Sequence, residues 1–452
     1  MQKNRLKATE TIAAPATPPG RGGVAVVRIS GPKVREIAKS ILGCDIPPRQ
    51  ACYLPFQNEK EEAIDIGIAL FFPSPNSFTG EDVLELHGHG GPVVVDLVMQ
   101  RILKLGARLA KPGEFSERAF LNHKIDLTQA EAIADLIDAS SSQAARSAVR
   151  SLQGDFSKTI NVLNEKIIQL RMFVESAIDF TDEEIDFISD DHIRLDLKKI
   201  IEEIKNIQHN AKQGCLLREG ITVVISGKPN VGKSSLLNRL SGKELAIVTD
   251  IPGTTRDVLR HYISLKGIPI HIIDTAGLRE SADPIEQEGI KRARSEMENA
   301  DLILFLSDVT ENADHIDEAS QVLSNRPIIF VHNKIDLTTM NPKCEEKDKH
   351  ISIYLSAKTG AGVDLLETQI LNGVGYRTSE ESPYLARRRH LDALSRTLEL
   401  LEDALQQSLR HRFSELLAED LRLAHKALSE ITGEFTSDDL LGVIFATFCI
   451  GK

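Results

Sequence analysis

Five short blocks of this chain carry side chains suited to phosphate, a divalent cation and a purine edge. The first, Gly227-Lys-Pro-Asn-Val-Gly-Lys233-Ser234, fits G-x-x-x-x-G-K-[ST]. A loop of this kind, closing on a helix N-terminus, turns backbone N–H groups toward a polyphosphate, and Asn230, Val231, Gly232, Lys233, Ser234 and Ser235 are placed to do so. The Lys233 ammonium adds positive charge, and the Ser234 hydroxyl suits Mg2+. An ordinary Gly-rich turn is the competing reading. It fails against an apolar run before the block, a helical run after it and four further blocks in order.

Those blocks are Thr254-Thr255, Asp274-Thr275-Ala276-Gly277, Asn333-Lys334-Ile-Asp336 and Ser356-Ala357-Lys358. Asp274 ends an apolar run, where its carboxylate reaches the Mg2+ shell, and Gly277 brings a backbone N–H to the terminal phosphate. Asp336 accepts from guanine N1–H and the exocyclic amine, whereas adenine would leave that carboxylate unpaired, so GTP is favoured over ATP. Ser356-Ala357-Lys358 closes over the base. Ras-type enzymes orient the attacking water with a glutamine directly after Asp-x-x-Gly. Here that position is Leu278, whose apolar side chain has no such capacity, and Glu286 in the acid-rich stretch that follows is the candidate replacement. On spacing alone Glu286 is also a solvated helix-face glutamate.

These blocks need strands to hold them. Apolar runs at 221–226, 268–273, 302–307, 328–332 and 351–355 predict a doubly wound parallel sheet, with its chemistry at the strands' carboxyl ends. Helical periodicity flanks this segment, 220–376. Phe156, Ile160, Leu163, Ile167, Leu170, Val174 and Ala177 precede it. Leu391, Leu394, Leu398, Leu401 and Leu405 follow it, then Leu417, Leu421, Ala424, Leu428 and Ile431, with Gly433 as a helix stop. The stripes predict one helical bundle made from residues 123–219 and 377–452, with the nucleotide segment inserted. Residues 1–122 mix β runs at 23–29, 64–72 and 83–87 with Gly/Pro turns and a helix at 93–105. The expected fold class is multidomain α/β: an N-terminal α+β domain, an α-helical bundle and an inserted Ras-like P-loop domain.

A chain of 452 residues exceeds what one core organises. The composition is 41% hydrophobic and 27% charged, without an apolar run of membrane-spanning length, and Met1-Gln-Lys-Asn-Arg-Leu-Lys7 leads into no apolar leader core. A cytoplasmic protein is expected. The five cysteines are scattered, with no Cys-x-x-Cys pair, which argues against a disulfide framework or structural zinc. A formal net charge of −12 disfavours broad charge-driven nucleic-acid binding, so an RNA partner would be held locally.

Further motifs span the chain: Thr11-Ile-Ala-Ala-Pro-Ala-Thr-Pro-Pro-Gly-Arg-Gly-Gly23, Pro75-Asn-Ser-Phe-Thr-Gly-Glu-Asp-Val-Leu-Glu-Leu-His-Gly-His-Gly-Gly91, Pro112-Gly-Glu-Phe-Ser-Glu-Arg-Ala-Phe-Leu-Asn122 and Cys449-Ile-Gly-Lys452. With these the chain resembles, over essentially its full length, the MnmE (TrmE) family of bacterial tRNA-modification GTPases. The resemblance implies homodimers through an N-terminal domain that binds a tetrahydrofolate, as the 5-formyl or 5,10-methylene derivative. It implies a flavoprotein partner, MnmG, carrying FAD, in a heterotetramer or larger complex. Together they would install a carboxymethylaminomethyl or aminomethyl group at C5 of the tRNA wobble uridine. The resemblance also implies K+-dependent pairing of G domains across the phosphates. Asn230, Thr249, Thr254 and the Ile251 carbonyl would hold K+, Thr255 would join Ser234 on Mg2+, and Asp250, Pro252 and Gly253 complete that nucleotide-facing run. Glu286 matches the water-orienting glutamate, with Lys233 and Cys449 completing the catalytic set. Arg28, Glu85 and Lys124 correspond to folate contacts, and Lys452 of the partner subunit lies near the same pocket.

Two other signals have plainer readings. His87-Gly-His89 has ligand spacing, but no third ligand is evident and Pro92 opens a helix, so a Gly-rich turn is expected there. Cys449-Ile-Gly-Lys452 mimics a lipidation box with poor final residues. Cys449 is either the family's functional thiol or a small buried hydrophobe after Phe445 and Phe448. A reading from a different class, a ribosomal-RNA-binding switch GTPase without modification chemistry, calls for a KH module or a second G domain. The sequence shows neither.

Overall fold

The computed structural model describes residues 10–179, 190–242, 260–274, 300–310, 326–347, 350–376, 384–410, 415–434, 438–448 and 451. The chain forms two compact units, one of Met1–Ala134, Leu152–Arg171 and Arg422–Lys452, the other of Asp135–Ser151 and Met172–Leu421. Among the described residues no helix is long and apolar enough to cross a membrane. Cys44, Cys52, Cys215 and Cys344 are free thiols.

In the first unit six strands, β1 (Ile12–Pro15), β2 (Gly22–Ser30), β3 (Cys52–Gln57), β4 (Ala63–Phe72), β5 (Val83–Gly90) and β6 (Arg108–Leu109), form a sheet of order β3-β4-β5-β2-β1-β6. Period-2 alternation sends Val27, Ile29, Phe71, Leu84 and Leu86 to one face, where α1 (Val34–Leu42) and α2 (Pro92–Lys104) cover them. Arg28 and Glu85 are register partners on the other face. The expected turn at His87-Gly-His89 is corrected: both histidines lie in β5. Glycine is required at Gly90, where a Cβ would meet the Gly22 carbonyl at 2.5 Å, and at Gly88 a Cβ would displace the Asp65 carboxylate, which it would meet at 2.4 Å. The helix does open at Pro92. A smaller core joins α4 (Leu127–Ile137) to α12 (Asp438–Ala446) through Leu127, Ala130, Leu441, Phe445 and Phe448.

Helix α6 (Asp155–Asp179) buries Phe156, Ile160, Leu163, Ile167, Leu170 and Val174, as the three-four spacing predicts. In the first unit Asn164 of α6 donates to Ser429 of α11 (Glu415–Ser429) at 3.1 Å. Helix α11 ends at Ser429, before Ile431, and Gly433 makes the left-handed turn with φ 92.

The second unit contains a seven-stranded sheet of order β12-β13-β11-β10-β7-β9-β8. Its strands are β7 (Ile221–Gly227), β8 (Arg260–Leu265), β9 (Ile268–Asp274), β10 (Leu302–Asp308), β11 (Ile328–Asn333), β12 (Lys343–Lys347) and β13 (His350–Tyr354). The five central strands are parallel and each edge strand is antiparallel to its neighbour. One face is buried under α8 (Lys233–Ser241) and α9 (Val363–Gly373) in a continuous apolar core. In the same unit α7 (Asp190–Glu219) lies along α10 (Arg388–Arg410), joined by Gln208–Ser395 and Lys205–Glu402, each at 2.7 Å. Asp135 accepts from Arg218 beside the start of β7 and from Arg387 beside the start of α10, both at 2.7 Å.

Candidate nucleotide site

At β7 the strand order reverses, with β9 on one side and β10 on the other, so a crevice opens beyond its carboxyl end. The strand ends coincide there. Gly227 pairs with Leu306, Asp308 with Asn333, His332 with Tyr354 and Ile225 with Asp274. The phosphate, cation and base blocks are thereby gathered along one rim of the sheet.

The phosphate loop is bent by three positive φ angles: 144 at Gly227, 64 at Asn230 and 99 at Gly232. A Cβ at Gly227 would stand 2.3 Å from the Leu306 carbonyl, and one at Gly232 would stand 2.2 Å from Asn333 Nδ2, so both positions need glycine. The bend leads into the N-terminus of α8, where the first-turn N–H groups and the helix dipole favour an anion. Lys233 is buried, and its Nζ donates to the carbonyls of Gly227 and Lys228 at 2.5 and 3.3 Å, holding the ammonium across the loop. Ser234 and Ser235 are exposed on the first turn, which leaves the Ser234 hydroxyl accessible to a hard cation.

On the base side Asn333 is 3% exposed and works as a stitch. Its Nδ2 donates to the Val231 carbonyl at 2.8 Å, and its Oδ1 accepts from the Ala357 N–H at 2.9 Å. Asp336 is exposed on a short 3-10 turn, where Ser356 Oγ donates to its Oδ1 at 2.6 Å and fixes the carboxylate. Lys334 donates to Asp308 Oδ2 at 2.7 Å. Burial pushes the Asp308 pKa up, but Lys334 and the Thr310 N–H and hydroxyl outweigh it and hold the carboxyl below its ordinary value. Asp308 was not legible as a site residue, since nothing local marks it; its partner lies 26 positions away. The same holds for Arg239 on α8, which donates to the carbonyls of Ala357 and Lys358.

Thr249, Asp250, Ile251, Pro252, Gly253, Thr254, Thr255, Thr275, Ala276, Gly277, Leu278, Glu286, Cys449 and Lys452 lie outside the described residues. For Asp274 the backbone is described, at the end of β9.

In the first unit Arg28 Nε donates to Glu85 Oε1 at 2.9 Å, and His87 Nε2 lies 3.2 Å from the other Glu85 oxygen. The Arg28 guanidinium stands 5.5 Å from the Phe78 ring centroid and 5.8 Å from that of Phe115. Lys124 Nζ donates to the Pro75 carbonyl at 3.0 Å, on the loop that carries Phe78. A carboxylate beside a guanidinium and two aromatic rings suits a flat heteroaromatic ligand with donor edges. Behind it, Glu114 accepts from Arg108 at 2.6 and 2.8 Å and from Arg118 at 2.9 Å. Burial raises the Glu114 pKa, but Arg108, the Lys111 N–H and Arg118 bring it down to about 2. Gly451, with φ 97, packs so closely on Pro15 of the same chain that a Cβ would lie 2.1 Å from its carbonyl oxygen. This seats Gly451 at the end of β1, one register step from Arg28. Among the described residues no three His, Cys, Asp or Glu side chains gather as a metal site.

A family profile described as the MnmE helical domain matches residues 127–449, and one described as the GTP-binding protein TrmE N-terminus matches residues 11–124. The tRNA modification GTPase MnmE of Proteus mirabilis (strain HI4320) is 56% identical over 454 residues, covering 99% of this chain and 100% of that one. The protein of that name from Coxiella burnetii (strain Dugway 5J108-111) is 56% identical over 448 residues, covering 98% and 99%. Among solved structures, Aquifex aeolicus Era bound to GDP.AlF4- is 28% identical, covering 40% of this chain and 66% of that one. Its TM-score of 0.27 is too slight a likeness to bear on the fold.

Proposed function

The chain belongs to the MnmE family of tRNA modification GTPases, and on that footing we propose that it is a K+-activated GTPase working with the flavoprotein MnmG. The pair adds a carboxymethylaminomethyl or aminomethyl group at C5 of the wobble uridine, at tRNA position 34, from a tetrahydrofolate one-carbon donor. The observation that carries the nucleotide half is the stitched rim, where Asn333 links the phosphate loop to the base loop and Ser356 fixes Asp336. Family membership over nearly the full chain carries the tRNA half.

Ser234 and Thr255 are assigned to Mg2+, and Asn230, Thr249, Thr254 and the Ile251 carbonyl to K+. Asn230 supports this by its place, exposed at the lip of the loop with φ 64. A monovalent cation there supplies the positive charge that an arginine finger supplies in other GTPases. With Leu278 after the Asp-x-x-Gly motif, Glu286 orients the attacking water. Arg28, Glu85 and Lys124 hold the folate, with Lys452 at the same pocket. Residues 1–122 form the folate-binding and dimerisation domain, 220–376 the G domain, and 123–219 with 377–452 the helical domain, in a cytoplasmic homodimer that assembles with MnmG. GTP hydrolysis is expected to run several-fold faster in K+ than in Na+ at equal ionic strength. Equal rates in the two salts would remove the Asn230 assignment.

A further inference from the structure

Helix α8 carries the phosphate-binding Lys233 at its start and Arg239 less than two turns further on. The Arg239 guanidinium leaves the helix toward the base loop, where Nε donates to the Ala357 carbonyl at 3.3 Å and a terminal nitrogen to the Lys358 carbonyl at 2.5 Å. Gly360 turns the chain beside it with φ 89, and a Cβ there would stand in ordinary contact range of the guanidinium. Beside this clamp Ser235, Asn238, Arg239, Gly242 and Ala357 line a cleft of about 310 Å³ between α8 and the base loop.

The clamp has a directional consequence. In a planar trans peptide the N–H points opposite to the carbonyl. Holding the Ala357 carbonyl toward Arg239 therefore aims the Lys358 N–H away from α8. The Ala357 N–H is already taken by Asn333, and the Thr359 N–H by Ser356 Oγ at 3.2 Å. A guanine whose N1–H and amine meet Asp336 presents its O6 beside them and requires a donor for that oxygen. We propose that Arg239 is a positioning residue for guanine, which fixes the Ala357–Lys358 backbone against the phosphate-binding helix so that the Lys358 N–H is aimed at O6 before nucleotide enters.

This rests on the reading of the site as a GTP site, and wild-type protein that failed to bind GDP would overturn that reading itself. The test uses full-length wild type, Arg239→Ala and Arg239→Lys. Release of fluorescent GDP is followed, with competition by ADP and by inorganic tripolyphosphate. Removing two charge-assisted hydrogen bonds is expected to speed GDP release about tenfold in Arg239→Ala, with Arg239→Lys between it and wild type. Tripolyphosphate competition should stay unchanged, and GDP-over-ADP discrimination should fall because adenine offers no O6 acceptor. Unchanged GDP release would overturn the proposal. So would equal weakening of GDP and tripolyphosphate, which marks a generally loosened domain.

Discussion

Truncation of Asn333 to alanine isolates the stitch on which the nucleotide site depends. The side chain is 3% exposed and makes hydrogen bonds of 2.8 and 2.9 Å, one to the phosphate loop and one to the base loop. Each bond contributes about 1 kcal/mol net, and a partner left unpaired in a buried place costs about 1–3 kcal/mol. Val231 and Ala357 would both be left so. Taking the low end for each of the two, because a truncated side chain beside an open crevice admits water, the loss is about 2 kcal/mol, or roughly thirtyfold in nucleotide affinity. Equilibrium titration with fluorescent GDP reads that loss, and Asp336→Ala provides the contrast. Asp336 is assigned to the base alone, so its removal should weaken GDP and spare tripolyphosphate, whereas Asn333→Ala should weaken both because Val231 belongs to the phosphate loop. GDP binding within about threefold of wild type, or tripolyphosphate binding untouched by Asn333→Ala, would refute the stitch.

Glu286→Ala should cut turnover while leaving GTP affinity near wild type; a loss confined to binding would contradict its water-orienting role. Glu114→Gln tests the ion network behind the Arg28–Glu85 pair. The folded-state pKa of Glu114 is depressed from 4.5 to about 2, so its contribution is fully present above pH 4.5 and is lost as pH falls toward 2. Calorimetry of the full chain should show the variant less stable by about 3 kcal/mol at neutral pH, shrinking to roughly 1 kcal/mol at pH 3. A deficit that did not shrink on acidification would mean that Glu114 acts through packing instead of charge.

Most of the nucleotide sheet was legible because its central strands are buried on both faces and read as apolar runs. The expected 221–226 and 302–307 became Ile221–Gly227 and Leu302–Asp308, each extended by the one residue that carries chemistry. The edge strands Arg260–Leu265 and Lys343–Lys347 were missed. Each pairs with one neighbour, and Lys-Cys-Glu-Glu-Lys in particular has no apolar pattern to betray it. Lys266 and Gly267, with φ 48 and 86, turn β8 back into β9 with a signal that is obvious only once both strands are known. The site divides in the same way. Of the motif residues, the described Asn230, Lys233, Asn333 and Ser356 stand along one rim of the sheet, and spacing set by phosphate and guanine chemistry is what makes such motifs readable. Asp308 and Arg239 act through partners far away in sequence, and only the fold brings them together. The Gly88 and Gly90 positions mislead for a related reason: they read as a turn, yet they serve the close approach of Asp65 and Gly22 to a strand.

The most direct test of the account is mass spectrometry of wobble uridines in tRNA from cells lacking this protein, complemented with wild type or with Asp336→Ala. Loss of the C5 carboxymethylaminomethyl or aminomethyl group, restored by wild type and poorly by the variant, is the predicted result. Unchanged wobble uridines in the deletion strain would contradict it.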